Sequence, residues 1–87
     1  MLKEKYTVNN PSGLHLRPAT IFSQEVSKLS SDIVIHYKDK SVNPKSVLML
    51  MAAGISKGAE IEIEVKGDNE EADLQKIIEL LDSGLGE

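Results

Sequence analysis

Hydrophobic and polar positions alternate most clearly over Glu60 to Lys66, where Ile61, Ile63 and Val65 fall on one side and Glu60, Glu62, Glu64 and Lys66 on the other. A period of two marks a strand with one buried and one wet face. Asp32 to Tyr37 repeats it through Ile33, Ile35 and Tyr37, and the polar break Lys38-Asp39-Lys40 before Ser41-Val42-Asn43 predicts a hairpin. Residues 2 to 8 combine β-branched and aromatic side chains with charges, which predicts a first strand, ended by the turn residues Asn9-Asn10-Pro11-Ser12-Gly13.

Between these strands the period changes. Ala19, Phe22, Val26 and Leu29 recur at helical spacing, and Pro18 fits if residues 15 to 18 form the first turn, where its missing N–H removes no internal bond. Ser46 before the run Val47 to Ala53, with Gly54 after it, predicts a short second helix with a cap and a stop. A third follows Gly67-Asp68-Asn69, with Leu74, Ile77, Ile78 and Leu81 as its stripe and Glu70 and Glu71 near its positive end. The order βαββαβα, with one solvated sheet face, predicts an α+β open-faced sandwich: four antiparallel strands with three helices on one face.

The chain has 87 residues, enough for one modest core, and residues 1–87 are read as a single domain. Hydrophobic residues at 40% and charged residues at 28% match globular usage and argue against disorder or coiled coil. There is no cysteine, so disulfides and zinc knuckles are excluded, and no cofactor or metal is expected. A net charge of -4 without a basic stripe argues against direct nucleic-acid binding. No window approaches the roughly 18 apolar residues of a membrane span, so a cytoplasmic location is expected, without membrane insertion.

Chemistry concentrates at Ser12-Gly13-Leu14-His15-Leu16-Arg17-Pro18-Ala19. A helix start leaves backbone N–H groups without internal partners, the Leu16 N–H among them, so an anion held there meets donors and the positive end of the macrodipole. His15 at this mouth offers a ring nitrogen able to attack phosphorus, which makes it the candidate phosphoacceptor. Arg17 adds a planar, permanently charged fork for phosphoryl oxygens, and Ser12 a further donor. Gly13 permits close backbone approach and Pro18 stiffens the turn. On residue chemistry alone a histidine at a helix start is equally a surface or capping residue. His36, in the hairpin without arginine or helix mouth, is read as structural.

The run Gly13-Leu14-His15-Leu16-Arg17-Pro18-Ala19, followed by Lys45-Ser46, resembles the histidine-containing phosphocarrier (HPr) family of the bacterial sugar phosphotransferase system, over essentially the whole chain. The resemblance implies a carrier, not a free-standing enzyme, in which His15 takes phosphate on Nδ1 from phospho-enzyme I, charged by phosphoenolpyruvate, and passes it to IIA components of sugar permeases. Arg17 is then the phosphate partner. It also implies that an HPr kinase/phosphorylase modifies Ser46, weakening exchange with enzyme I and promoting binding to a catabolite control protein. Ser46 is independently a helix N-cap, and phosphate there meets a helix N-terminus that tolerates its charge.

Five apolar residues from Val47 to Met51 encircle their helix, more than one inward stripe can bury. Leu50 and Ala53 are expected inside; Val47, Leu48 and Met51, beside Leu16 and Thr20, are expected to form a partner-docking patch. Three departures from the family pattern bear on partners: Leu16 replaces the usual alanine or threonine, Met49 the glycine common in Gram-positive members, and Pro44 restricts Asn43 to extended geometry. A monomer is expected. Competing readings are the nitrogen-related branch with the same histidine chemistry, a regulatory domain that binds a small anion at the helix mouth, and an interaction module using only the second helix. The phosphocarrier-like variant confined to co-repression lacks the active histidine, which this sequence has.

Overall fold

Glu60–Lys66, the segment of cleanest alternation, is an interior strand of a four-stranded antiparallel sheet. The computed structural model describes residues 1–86, in the order β1 (Leu2–Thr7), α1 (Leu16–Val26), β2 (Asp32–Tyr37), β3 (Lys40–Val42), α2 (Val47–Ala52), β4 (Glu60–Lys66) and α3 (Glu70–Asp82). The strand order is β1-β4-β2-β3. β4 therefore pairs on both sides, with Leu2 opposite Val65 on one flank and Ile35 opposite Ile63 on the other. The βαββαβα order and the open-faced sandwich expected from the pattern are both present.

The register explains which side is dry. Ile33, Ile35, Ile61, Ile63 and Val65 share one face and are all buried, together with Phe22 and Val26 of α1, Leu50 of α2 and Ile77 and Leu81 of α3. Burying each such side chain contributes about 1.5–3 kcal/mol, so this shared layer is what holds helices to sheet. The other face carries charge: Lys3 lies opposite Glu64 and Lys5 opposite Glu62, with a 3.8 Å ion pair in the first case. Opposite charges across neighbouring strands favour this register over a slip, although an exposed pair adds little stability. On edge strand β1, Glu4 falls on the same side as Ile63, its cross-strand partner. A charge there discourages another strand from adding to the edge.

Polar side chains tie the helices to the loops. Asp73 of α3 is buried and accepts hydrogen bonds from both the N–H (3.1 Å) and the hydroxyl of Ser31. Lys45 donates from Nζ to the carbonyls of Leu29 (3.0 Å) and Ser31 (3.1 Å). The loop between α1 and β2 is thereby gripped from α3 and from the approach to α2. Tyr6 of β1 donates to Asp82 at the end of α3 (2.7 Å). Leu85, beyond α3, is buried although its φ of 52° lies in the left-handed region, so burial in the core sustains a backbone state that leucine otherwise avoids.

Candidate functional site

The first turn of α1 is built by what lies just before it. Asn10 to Gly13 forms a tight turn in which the Gly13 N–H donates to the Asn10 carbonyl (3.0 Å), and the buried Asn10 side chain returns a bond to the Gly13 carbonyl. Leu14 is then driven into the core, and its N–H donates to the Ile55 carbonyl at 2.9 Å. His15 follows as the N-cap in extended conformation, φ -87° and ψ -165°, with Leu16 as the first helical residue. Pro18 is the third, which satisfies the demand that proline sit within the first turn. Pro18, Ala19 and Phe22 are buried, while His15, Leu16 and Arg17 are exposed on the other side of the same turn.

Two details decide what this mouth can bind. His15 makes no capping hydrogen bond with its side chain, and no acidic residue stands in the first turn. Among the described residues the Leu16 and Arg17 amides, which the helix cannot use internally, thus meet neither a cap from His15 nor a first-turn acid, and they lie at the positive end of the macrodipole, where an anion is favoured. The His15 carbonyl is engaged, accepting from the Ala19 N–H at 2.8 Å. The imidazole and the Arg17 guanidinium stand on exposed residues two positions apart at this mouth. Ser12 is exposed in the preceding turn. Grooves of about 310, 250, 430 and 210 Å³ on the described surface are lined by other residues, none by His15 or Arg17.

The second predicted cap is also in place. Ser46 is the N-cap of α2, its hydroxyl accepting from the Met49 N–H at 3.3 Å, and Gly54 follows the helix with φ 68°. Of the predicted docking residues, Leu48 is 79% exposed and Leu16 59%, while Val47, Met51 and Thr20 are half-buried, Met51 packing on the core. Leu50 and Ala53 are buried as expected. Met49, absent from the predicted patch, is 43% exposed and lies on the other flank of α2, where it lines grooves with Ser41 and Val42 of β3. Its exposure follows from a six-residue helix that turns only Leu50 fully inward; the signal was present in the run of five apolar residues, but their phase relative to the core was not. The Thr20 hydroxyl donates to the Leu16 carbonyl (2.7 Å) and so serves its own helix. His36 lies on the charged face of the sheet, its Nε2 3.0 Å from Glu64 Oε1, remote in the fold from the helix mouth. No cluster of potential metal ligands occurs among the described residues.

Residues 2–83 match the family model described as PTS HPr component phosphorylation site. The chain belongs to the HPr family. Among solved structures it is similar to the HPr of Thermoanaerobacter tengcongensis, with 37% identity and TM-score 0.94 over 100% of this chain and 98% of that one. A histidine-containing phosphocarrier protein of Mycoplasma matches at 35% identity and TM-score 0.88, over 97% of each chain. Crh of Bacillus subtilis, described as a catabolite repression protein forming a swapped dimer, matches at 32% identity and TM-score 0.74, over 98% of each chain. The HPr family consists of phosphocarrier proteins of the phosphotransferase system, whose partners are other components of that system. No helix among the described residues is long and apolar enough to cross a membrane.

Proposed function

We propose that the chain carries a phosphoryl group on His15, taking it from phospho-enzyme I and giving it to IIA components of sugar permeases. The observation that carries this reading is an N-cap histidine whose side chain makes no capping bond to its own helix and which stands exposed with Arg17 at a mouth with no acidic residue in its first turn. In the transfer, the lone pair of the neutral ring forms the N–P bond while the bond from phosphorus to the donor breaks, its electron pair leaving with the donor. Arg17 and the Leu16 and Arg17 amides balance the charge on the phosphoryl oxygens, and Ser12 is a further contact. Donation to the acceptor reverses the same steps.

Leu16, Thr20, Val47, Leu48 and Met51 form the surface on which these partners dock. Apolar side chains around a charged centre exclude water from the transferring group without holding it in a cavity. Ser46 is the regulatory site, modified by an HPr kinase/phosphorylase in carbon catabolite control, and the modified chain binds a catabolite control protein. The protein works in the cytoplasm as a monomer, which light scattering of the purified chain tests directly.

Incubation with phosphoenolpyruvate and enzyme I should label the chain with acid-labile, base-stable phosphate. His15→Ala should abolish the label entirely, and label that survives this substitution refutes the assignment.

A further inference from the structure

His15 has no capping bond of its own to hold it, so the place of its ring in space depends on the backbone on either side. Downstream, the Ala19 N–H fixes the His15 carbonyl. Upstream, the frame comes from a part of the chain forty residues away. The Leu14 N–H donates to Ile55 O at 2.9 Å, and Gly13, at φ 60°, is pressed so closely on this bend that a Cβ would lie 2.5 Å from Ile55 O and 2.6 Å from the Ser56 Cα. Gly13 is thus needed twice, for its left-handed backbone and for contact with main-chain atoms that cannot swing aside.

The bend is itself tethered. Ile55 is buried, and the exposed Lys40 at the start of β3 donates from Nζ to the Ala53 carbonyl at 3.2 Å. That carbonyl belongs to the C-cap of α2, the negative end of the helix, where a cation is favoured. Sheet, α2 and the mouth of α1 are therefore joined in series: Lys40 to Ala53, Ile55 to Leu14, and Leu14 to the adjoining His15.

We propose that the bend Ala53 to Ser56 positions the phosphoacceptor, with Ile55 as the positioning residue through its carbonyl and Lys40 as the side chain that fixes the bend. The proposal rests on His15 being the acceptor and adds what aims it. Reacting groups displaced by about 1 Å lose rate far more than affinity, because alignment is needed at the moment of transfer while docking uses a broad surface.

The test uses the whole chain as the varied substrate of phospho-enzyme I, with amide hydrogen exchange at Leu14 followed in parallel. Gly13→Ala should lower kcat by about 100-fold and leave KM within about twofold, with loss of protection at Leu14. Lys40→Met, an exposed change that leaves the core intact, should lower kcat by about threefold and speed Leu14 exchange, and Lys40→Arg, which keeps a donor, should restore both. If Gly13→Ala fails to fold, the lysine pair carries the test alone. Unaltered Leu14 exchange in Lys40→Met overturns the proposal, as does a loss confined to KM. Should the unsubstituted chain accept no phosphate, the underlying assignment fails, and the exchange measurement still judges the brace separately.

Discussion

Three helices begin in this fold, and each treats its positive end differently. At α3 the N-cap Asn69 makes no side-chain capping bond, but the first turn carries Glu70, Glu71 and Asp73, negative charge at the positive end of the helix. At α2 the hydroxyl of Ser46 accepts from Met49 N–H, a neutral cap that leaves the charge to the solvent. At α1 there is neither an acid nor a side-chain cap, and the neighbouring charge is the cationic Arg17. A helix start left this way forgoes about 1 kcal/mol or more that a capping side chain contributes. Among the described helices, that cost falls at the mouth that also bears an exposed histidine, which suits the proposed carriage of a transient anion.

The comparison breaks most visibly if α1 is made to resemble α3. Arg17→Glu places a carboxylate in the first turn, where it complements the macrodipole and should raise the melting temperature slightly, the gain being about 0.3–1 kcal/mol. The same change removes the proposed phosphate partner and adds repulsion, so phosphoryl acceptance should fall by about 100-fold or more. Stability and transfer should thus move in opposite directions, measured by thermal unfolding and by initial rates with phospho-enzyme I. Parallel movement would mean that the mouth of α1 is an ordinary helix start and that Arg17 takes no part in transfer.

A smaller effect is expected at α2. Ser46→Ala removes its cap and should destabilise the chain by about 1 kcal/mol, whereas Ser46→Asp keeps an acceptor at the cap, adds charge at the favourable helix end, and should unfold at or above the temperature of the unsubstituted chain. Exchange with enzyme I should nonetheless slow in Ser46→Asp, because a negative charge then borders Val47 and Leu48 of the proposed docking surface. Equal exchange rates for Ser46→Asp and the unsubstituted chain would remove charge from the account of regulation.

Much of this was legible from local pattern. The Ile-Glu alternation of β4 and the stripe of α3 needed only period and spacing, and His15 fell at its helix mouth because Pro18 admits few other starts. What escaped depends on neighbours distant in sequence. Nothing around Lys40 or Lys45 says which carbonyls they reach, and nothing near Gly13 names Ile55 as the backbone it meets. The placement of β1 beside β4 is equally a property of the assembled sheet. Met49 shows the limit within a single element: a ring of apolar residues reveals that some must be exposed, yet only the docking of Leu50 decides which.

The mildest expected effect is at α3, where the carboxylates that fill the helix mouth should leave a trace in the dependence of stability on acid. The Glu70 carboxyl is held below its ordinary value of 4.5 by a 3.0 Å bond from the terminal amine of Met1 and by the Gly67 N–H, 3.1 Å away. A carboxyl depressed in the folded state contributes stability above its unfolded value and loses it as falling pH protonates the folded form. Glu70→Gln should therefore unfold at a lower temperature than the unsubstituted chain at neutral pH, and the two should converge as the pH drops below the carboxylate range. A difference in melting temperature that stays constant from acid to neutral pH would show that Glu70 acts by packing alone, and the contrast between a helix start supplied with carboxylates and one without them would lose one of its two sides.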